Sequence, residues 1–133
     1  MIAHPPCTYL AVSGARWFAD RKQEQEDALD FVRFLMGASI ERICVENPVS
    51  VISTMIRKPD QIIQPWMFGH EESKRTCLWL KNLPKLKATK VMEIRYKNCT
   101  ISGQNSLPQS EGRWKERSRT YTGIAKAMAE QWG

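Results

Sequence analysis

The first 48 residues alternate between two short apolar runs and one helical stretch, and proline closes each run. Residues 1–4 read as the end of a strand, which Pro5 and Pro6 cut off. Residues 20–36 predict a helix, with apolar side chains that include Leu29, Phe31 and Phe34 at helical spacing. The first half of this stretch is acidic, which suits the positive end of a helix dipole. Residues 40–45 form a β-branched run that stops at Glu46-Asn47-Pro48. This strand–helix–strand pattern predicts an α/β fold with an open, largely parallel sheet.

The rest of the chain predicts a helix, two or three further strands and a closing helix. In chain order these are a helix at 49–56, strands at 62–66 and 76–80, a short strand around 91–96, and a helix from Thr122 to Trp132. We expect about four strands in one domain of 133 residues. Its parts are an αβ core over 1–81, a loop-rich basic segment over 82–116 and the C-terminal helix within 117–133.

Composition excludes several classes of protein. A hydrophobic fraction of 42% is too high for intrinsic disorder, and no run approaches the roughly 18 apolar residues of a membrane span. The start of the chain lacks the basic and apolar regions of a secretion signal, so we expect a cytoplasmic protein. The four cysteines form no C-x-x-C pair and the two histidines complete no zinc spacing, which predicts reduced thiols and no metal site.

Positive charge gathers in the C-terminal half of this chain, whose formal net charge is +6. Residues 81–97 carry a net charge of +5 and residues 113–126 carry +4, whereas residues 20–30 carry −3. A solvated basic face and a surface that contacts nucleic-acid phosphates both fit this distribution. The candidate phosphate contacts of the last cluster are Arg113, Lys115, Arg117 and Arg119.

A thiol and a carboxylate follow the first two predicted strands. Cys7 lies in His4-Pro5-Pro6-Cys7 and Glu46 in Glu46-Asn47-Pro48, and adjacent parallel strands would bring both to one edge of the sheet. A thiolate can add to C6 of cytosine while a carboxyl group protonates or hydrogen-bonds N3. The alternatives remain a buried thiol at Cys7, a helix cap at Glu46 and a satisfied polar side chain at His4.

These motifs resemble the C5-cytosine-specific DNA methyltransferases. Pro6-Cys7 and Glu46-Asn47 are similar to that family's nucleophile and proton-donor signatures, with His4 and Pro48 in supporting positions. Residues 66–69 and 74–79 look like the family block whose basic residues steady the target base, which implies that role for Lys74 and Arg75. More closely, HPPCTYLA, ENP, IRKPDQIIQPW and RWKERSRTY resemble short phage and prophage proteins of cytosine-methyltransferase-like type. The resemblance implies a truncated Rossmann-like, class I methyltransferase-type sheet.

The departures from that family concern the cofactor and the recognition of DNA sequence. Thr8 and Pro48 replace the usual neighbours of the two motifs, and residues 82–116 are too short for a large target-recognition domain. All seven glycines are isolated, so we expect the chain alone to bind no S-adenosylmethionine unless a missing half is supplied. The competing Asp/Asn-Pro-Pro-Tyr motif of amino-methyltransferases would require different residues at His4 and Cys7 and gives Glu46-Asn47 no role.

Three functions follow as expectations. The chain is a catalytic half completed by another chain, a relic that binds DNA through its basic surface, or a phage protein that binds and inhibits a host defence complex. Loss of the family's first strand would leave an open parallel edge beside residues 1–4, which has to be paired or covered. We therefore expect a homodimer or a heteromeric complex.

Overall fold

The computed structural model describes residues 1–11, 19–98 and 120–133. These residues form four strands, three α-helices and a short 3-10 turn. The strands are β1 (Ile2–Ala3), β2 (Ile43–Pro48), β3 (Gln61–Ile63) and β4 (Thr76–Lys81). The helices are α1 (Lys22–Met36), α2 (Ile52–Met55) and α3 (Thr122–Trp132), and the 3-10 turn spans Pro65–Met67.

The four strands form one open mixed sheet in the order β1-β2-β4-β3. β1 and β2 are parallel, as predicted, with Ile2 opposite Cys44 and Ala3 opposite Val45. β4 is antiparallel to both of its neighbours, β2 and β3. The α/β class and the four strands are confirmed, but the prediction of a largely parallel sheet was wrong.

The lengths of the connections explain the direction of β4. A parallel pair needs a long crossover, usually a helix, whereas an antiparallel pair can be joined by a loop. α1 supplies that crossover between β1 and β2. Residues 64–75, between β3 and β4, hold only the three-residue 3-10 turn and no crossover helix, so β4 returns antiparallel.

A buried cluster on one face of the sheet holds α1 in place. Leu29 and Val32 of α1 are fully buried and belong to the same cluster as Val45 and Trp79. The indole Nε1 of Trp79 donates to the carbonyl oxygen of Arg57 at 2.8 Å, so this large side chain is buried without an unpaired donor. Burial of a Leu or Val side chain contributes about 1.5–3 kcal/mol, and α1 is therefore stabilised mainly by packing.

The apolar stripe of α1 is narrower than the sequence predicts. Phe31 is 46% exposed and Phe34 is 72% exposed, although both were placed on the apolar side of the predicted helix. The buried stripe instead runs through Leu29 and Val32. α1 therefore carries two exposed aromatic side chains.

Two compact units divide the described chain. The first consists of Met1–Ile63 and Arg75–Lys85, and contains the whole sheet with α1 and α2. The second consists of Gln64–Lys74 and Leu86–Gly133, and contains the 3-10 turn and α3. The predicted C-terminal helix is confirmed, the predicted helix at 49–56 is shorter, and the predicted strand at 91–96 is absent from the described residues. None of the described helices is long and apolar enough to cross a membrane.

Candidate functional site

The carboxyl ends of β1 and β2 bring the two predicted motifs together. The register that sets Ala3 opposite Val45 continues beyond β1, so His4 lies beside Glu46. The Nδ1 atom of His4 is 3.5 Å from Oε2 of Glu46. One residue further along, Asn47 Nδ2 donates to the carbonyl oxygen of Pro5 at 2.9 Å. We call this end of the parallel pair, residues 4–7 and 46–48, the β1–β2 edge.

The chain reverses at Cys7, directly after the two prolines. Proline has no N–H to donate, so Pro5 and Pro6 end the ladder of β1. The carbonyl oxygen of Cys7 then accepts hydrogen bonds from the N–H groups of Leu10, at 3.0 Å, and Ala11, at 2.9 Å. The Val51 N–H donates to the Leu10 carbonyl oxygen at 3.0 Å and thereby ties this turn to the chain beyond β2. Cys7 is therefore placed in an ordered turn at the β1–β2 edge.

Burial separates Cys7 from the other described cysteines. Cys7, Cys44 and Cys77 are all free thiols, and only Cys7 is half-buried rather than buried. Burial raises the pKa of Cys44 to about 12, with the charge of Glu46 as a second cause. Burial also raises the pKa of Cys77. Because the thiolate is the nucleophile, Cys44 and Cys77 are inert near neutral pH, and Cys7 is the candidate nucleophile among the described residues.

Two side-chain oxygens at this edge are buried and accept no hydrogen bond. They are Oε2 of Glu46 and Oδ1 of Asn47. The Glu46 side chain is 17% exposed, whereas Asn47 is only 2% exposed. A buried acceptor without a donor costs about 1–3 kcal/mol. A ligand that brings an N–H group to Glu46 would relieve part of that cost, and an amidine-like edge such as that of cytosine has this chemistry.

The predicted basic residues are not gathered at this edge by any described contact. The backbone N–H of Lys74 donates to Oε1 of Gln64 at 2.7 Å, and Lys74 is half-buried. Arg75 is exposed. The two residues belong to different compact units. Arg113, Lys115, Arg117 and Arg119 lie outside the described residues, so their role stays a prediction.

The sequence predicts a short strand around 91–96 in the second unit, but it did not indicate which residues this segment pairs with. Residues 89–97 run alongside residues 66–71, with backbone hydrogen bonds such as that from the Met92 N–H to the Trp66 carbonyl at 2.8 Å. The guanidinium carbon of Arg95 lies 3.8 Å from the centroid of a Trp66 ring. The basic run 81–97 was visible in the sequence, but this pairing joins residues 29 positions apart and has no local pattern.

Helix α3 also begins at a contact that the sequence did not indicate. The backbone N–H of Gly123 donates to Nε2 of His70 at 3.0 Å. The ring of Tyr121 meets that of His70 edge-on, with centroids 5.0 Å apart. His70 therefore satisfies one of the N–H groups that every helix leaves unpaired at its start.

Neither similarity to known proteins nor a group of metal ligands among the described residues points to a function. No protein-family model, curated protein or solved structure was found to match this chain. Within residues 1–11, 19–98 and 120–133, no three His, Cys, Asp or Glu side chains are grouped as a metal site requires. The geometry of the β1–β2 edge is therefore the main guide to function.

Proposed function

We propose that this chain is a nucleic-acid-binding protein of the C5-cytosine methyltransferase type, with a cytosine site at the β1–β2 edge. The observation that carries the proposal is the parallel pairing that sets His4-Pro5 against Glu46-Asn47. Cys7 follows within two residues and is the least buried of the described thiols. A nucleophile and a carboxyl group at one strand edge are what addition to C6 of cytosine requires.

Glu46 has the chemistry to recognise the base. Its carboxyl group can hydrogen-bond N3 and the exocyclic amine of cytosine, whereas thymine presents a carbonyl oxygen in place of that amine. The Nδ1 atom of His4, whose side chain is 44% exposed, lies 3.5 Å from Oε2, the same carboxyl oxygen that has no hydrogen-bond partner. Glu46 would therefore favour unpaired cytosine over unpaired thymine.

These residues do not fit S-adenosylmethionine. The turn after β1 opens with Pro5 and Pro6, which have no backbone N–H groups to donate to a cofactor, and no glycine-rich turn occurs in the sequence. In this proposal the methyl donor belongs to a second chain. Calorimetry of the chain alone with S-adenosylmethionine should show no binding, and a clear micromolar signal would refute this part of the proposal.

Binding of short single-stranded oligonucleotides tests the proposal. We expect fluorescence anisotropy to show tighter binding of an oligothymidine with one central cytosine than of the all-thymine strand, by roughly the 1–3 kcal/mol of a good base contact. Glu46→Ala should remove this preference without weakening binding to the all-thymine strand. Alanine is used because a glutamine amide could still donate to N3 and accept from the amine of cytosine. Glu41→Ala is the matched control, because Glu41 is exposed and lies before β2. Equal affinity of the unmodified chain for both strands would overturn the proposal.

A second candidate function, binding of a host protein such as a defence complex, is favoured by the outer side of β1. Among the described strands β1 pairs only with β2, so no described strand covers its other side, and Ile2 is 46% exposed. Phe34 of α1, 72% exposed, adds apolar surface within the same compact unit. An open strand edge with apolar side chains is a template for strand addition.

The dependence of binding affinity on salt concentration distinguishes the two candidate functions. Nucleic-acid binding falls steeply with salt because counterions are released, whereas strand addition is governed by backbone hydrogen bonds and apolar contact. In the second candidate, the chain should associate with itself or a partner at tens of micromolar, with little dependence on salt, and Phe34→Ser should weaken that association. A chain that is monomeric in light scattering and binds nucleic acid with a steep salt slope would exclude it.

A further inference from the structure

The segment at residues 87–97 has an unusual surface in the second compact unit. Val91 and Ile94 are each 57% exposed and Tyr96 is 45% exposed. Lysine side chains flank these apolar groups: Lys87, Lys90 and Lys97 are all exposed. We call these six side chains the 87–97 surface.

The backbone of this surface is firmly held. The Lys90 N–H donates to the Met67 carbonyl at 3.2 Å, and the Lys90 carbonyl accepts from the Gly69 N–H at 2.9 Å. Gly69 has a φ of +91°, a conformation that side chains rarely adopt, so glycine is needed where the two segments meet. At the other end the Lys97 N–H donates to the Glu71 carbonyl at 3.0 Å. The exposed apolar groups therefore project from an anchored segment.

The positive charge of the surface is only partly neutralised. Lys97 Nζ lies 3.2 Å from Oε2 of Glu71, and Glu93 is an exposed acid within the segment. For Lys87 and Lys90, no carboxylate of the described chain lies within ion-pair distance. A cavity of about 230 Å³ adjoins Lys90, and Lys126 on its wall lies 3.9 Å from Glu130. The surface thus offers ammonium groups to a polyanion.

The Trp66–Arg95 stack adds an oriented guanidinium group. Arg95 lies over the Trp66 ring at 3.8 Å, its Nε donates to the Met92 carbonyl at 3.0 Å, and its own carbonyl accepts from Ser73 Oγ at 2.6 Å. A guanidinium group held over a ring and by a backbone carbonyl has restricted motion, so its remaining N–H donors are oriented, which suits phosphate oxygens.

We propose that the 87–97 surface binds single-stranded nucleic acid, with its lysines on the phosphates and Tyr96, Val91 and Ile94 against unstacked bases. Basic side chains alone would serve duplex and single strand alike. Exposed apolar and aromatic groups gain from bases only when the base faces are open, and a duplex hides those faces in its stack. This inference rests on the proposed nucleic-acid function and names the form of its substrate.

The test compares single-stranded and duplex DNA of equal length, measured by fluorescence anisotropy over a range of salt concentrations. We expect Tyr96→Ala to weaken single-strand binding by roughly 5-fold or more and to leave duplex binding within about 2-fold. The double variant Lys87→Gln/Lys90→Gln should lower the salt slope for the single strand by about 1.4, since each phosphate contact contributes about 0.7. Circular dichroism confirms that the variants are folded.

The matched control is Lys22→Gln/Lys58→Gln, which removes the same charge from two exposed lysines of the first unit. This control should leave the slope nearly unchanged. An equal change of slope in both double variants, or tighter binding of the duplex, would overturn the proposal. So would binding to anionic vesicles that a single strand does not displace, because the surface would then be a lipid-binding one.

Failure of this inference is distinguishable from failure of the cytosine site. If the 87–97 variants lose binding to every strand but the chain shows no cytosine preference, the inference holds and the proposed cytosine site fails. If cytosine preference depends on Glu46 while the 87–97 variants bind normally, the cytosine site holds and the inference fails.

Discussion

The bond between Asn47 and Pro5 supports the geometry of the β1–β2 edge, and Asn47→Asp tests it. Asn47 is 2% exposed and its Nδ2 donates to the Pro5 carbonyl at 2.9 Å. Pro5 is itself buried, so water does not readily replace that donor. The substitution removes the donor and sets a carboxylate against a carbonyl oxygen, while it keeps the shape of the side chain.

The loss of stability expected for Asn47→Asp follows from the burial of the Asn47 side chain. A buried hydrogen-bonding group left without its partner costs about 1–3 kcal/mol, and an uncompensated buried charge raises this to about 3–5 kcal/mol. A domain of this size has about 5–15 kcal/mol of stability, so Asn47→Asp should remove a large share of it at neutral pH. Urea unfolding followed by tryptophan fluorescence measures the free energy directly.

The pH dependence has a definite sign. Burial disfavours the charged form, so the pKa of the introduced carboxyl group in the folded state lies above its unfolded value of about 3.9. The variant is therefore least destabilised below pH about 4, where the carboxyl group is protonated in both states. As the pH rises, its stability relative to the unmodified chain falls by about 1.4 kcal/mol per unit until the folded pKa is reached.

An exposed asparagine supplies the control. Asn82 Nδ2 donates to the Glu41 carbonyl at 2.7 Å, also across a long stretch of sequence, but Asn82 is exposed. Its φ of 55° is tolerated by Asp as by Asn, so Asn82→Asp adds no backbone strain. We expect it to cost less than about 1 kcal/mol, without the pH trend. Equal losses in the two variants, or a loss at Asn47 that does not grow with pH, would refute the reasoning.

Two further predictions concern stability in the separate units. Gly123→Ala should destabilise the chain by about 2–4 kcal/mol, because the added Cβ would lie 2.1 Å from the Phe68 carbonyl oxygen and α3 would have to shift. The control is Gly37→Ala, whose added Cβ meets nothing closer than 3.2 Å and which should cost far less. Thermal melts of both variants test this difference. Burial alone would raise the pKa of Asp60, but the hydrogen bond from the Leu80 N–H and the ion pair with Arg57 lower it below 3.8. Asp60→Asn should therefore lower the free energy of unfolding by about 1 kcal/mol at neutral pH, and by progressively less as the pH falls through the folded pKa. A loss in urea unfolding that persists at about pH 2 would contradict this assignment.

The elements with strong local patterns could be predicted from the sequence. α3 has the bounds Thr122–Trp132 that its apolar spacing predicts, and α1 begins two residues after the predicted start. β1 and β2 were recognised because prolines close both runs. Their parallel pairing followed from the helix between them, and it placed His4 beside Glu46.

What the sequence did not predict depends on contacts between distant residues. The antiparallel direction of β4 is set by a connection that lacks a crossover helix, and the amphipathic period of α1 did not reveal that Phe34 is exposed. The bond between His70 and Gly123 joins residues 53 positions apart, and the stack of Arg95 on Trp66 joins loop residues. Local propensity contains no information on such pairs, since they arise only when the chain is packed.

The two proposed sites would contribute different quantities to binding. Phosphate and stacking contacts on the 87–97 surface are available to any single strand, so they set affinity and its dependence on salt. In the proposed cytosine site Glu46 would contact only the edge of a base, so it would set preference among strands of equal charge. Specificity is a ratio of affinities, and a surface that binds every strand equally cannot raise that ratio. Variants of the 87–97 surface should therefore scale all affinities together, and Glu46→Ala alone should change their order.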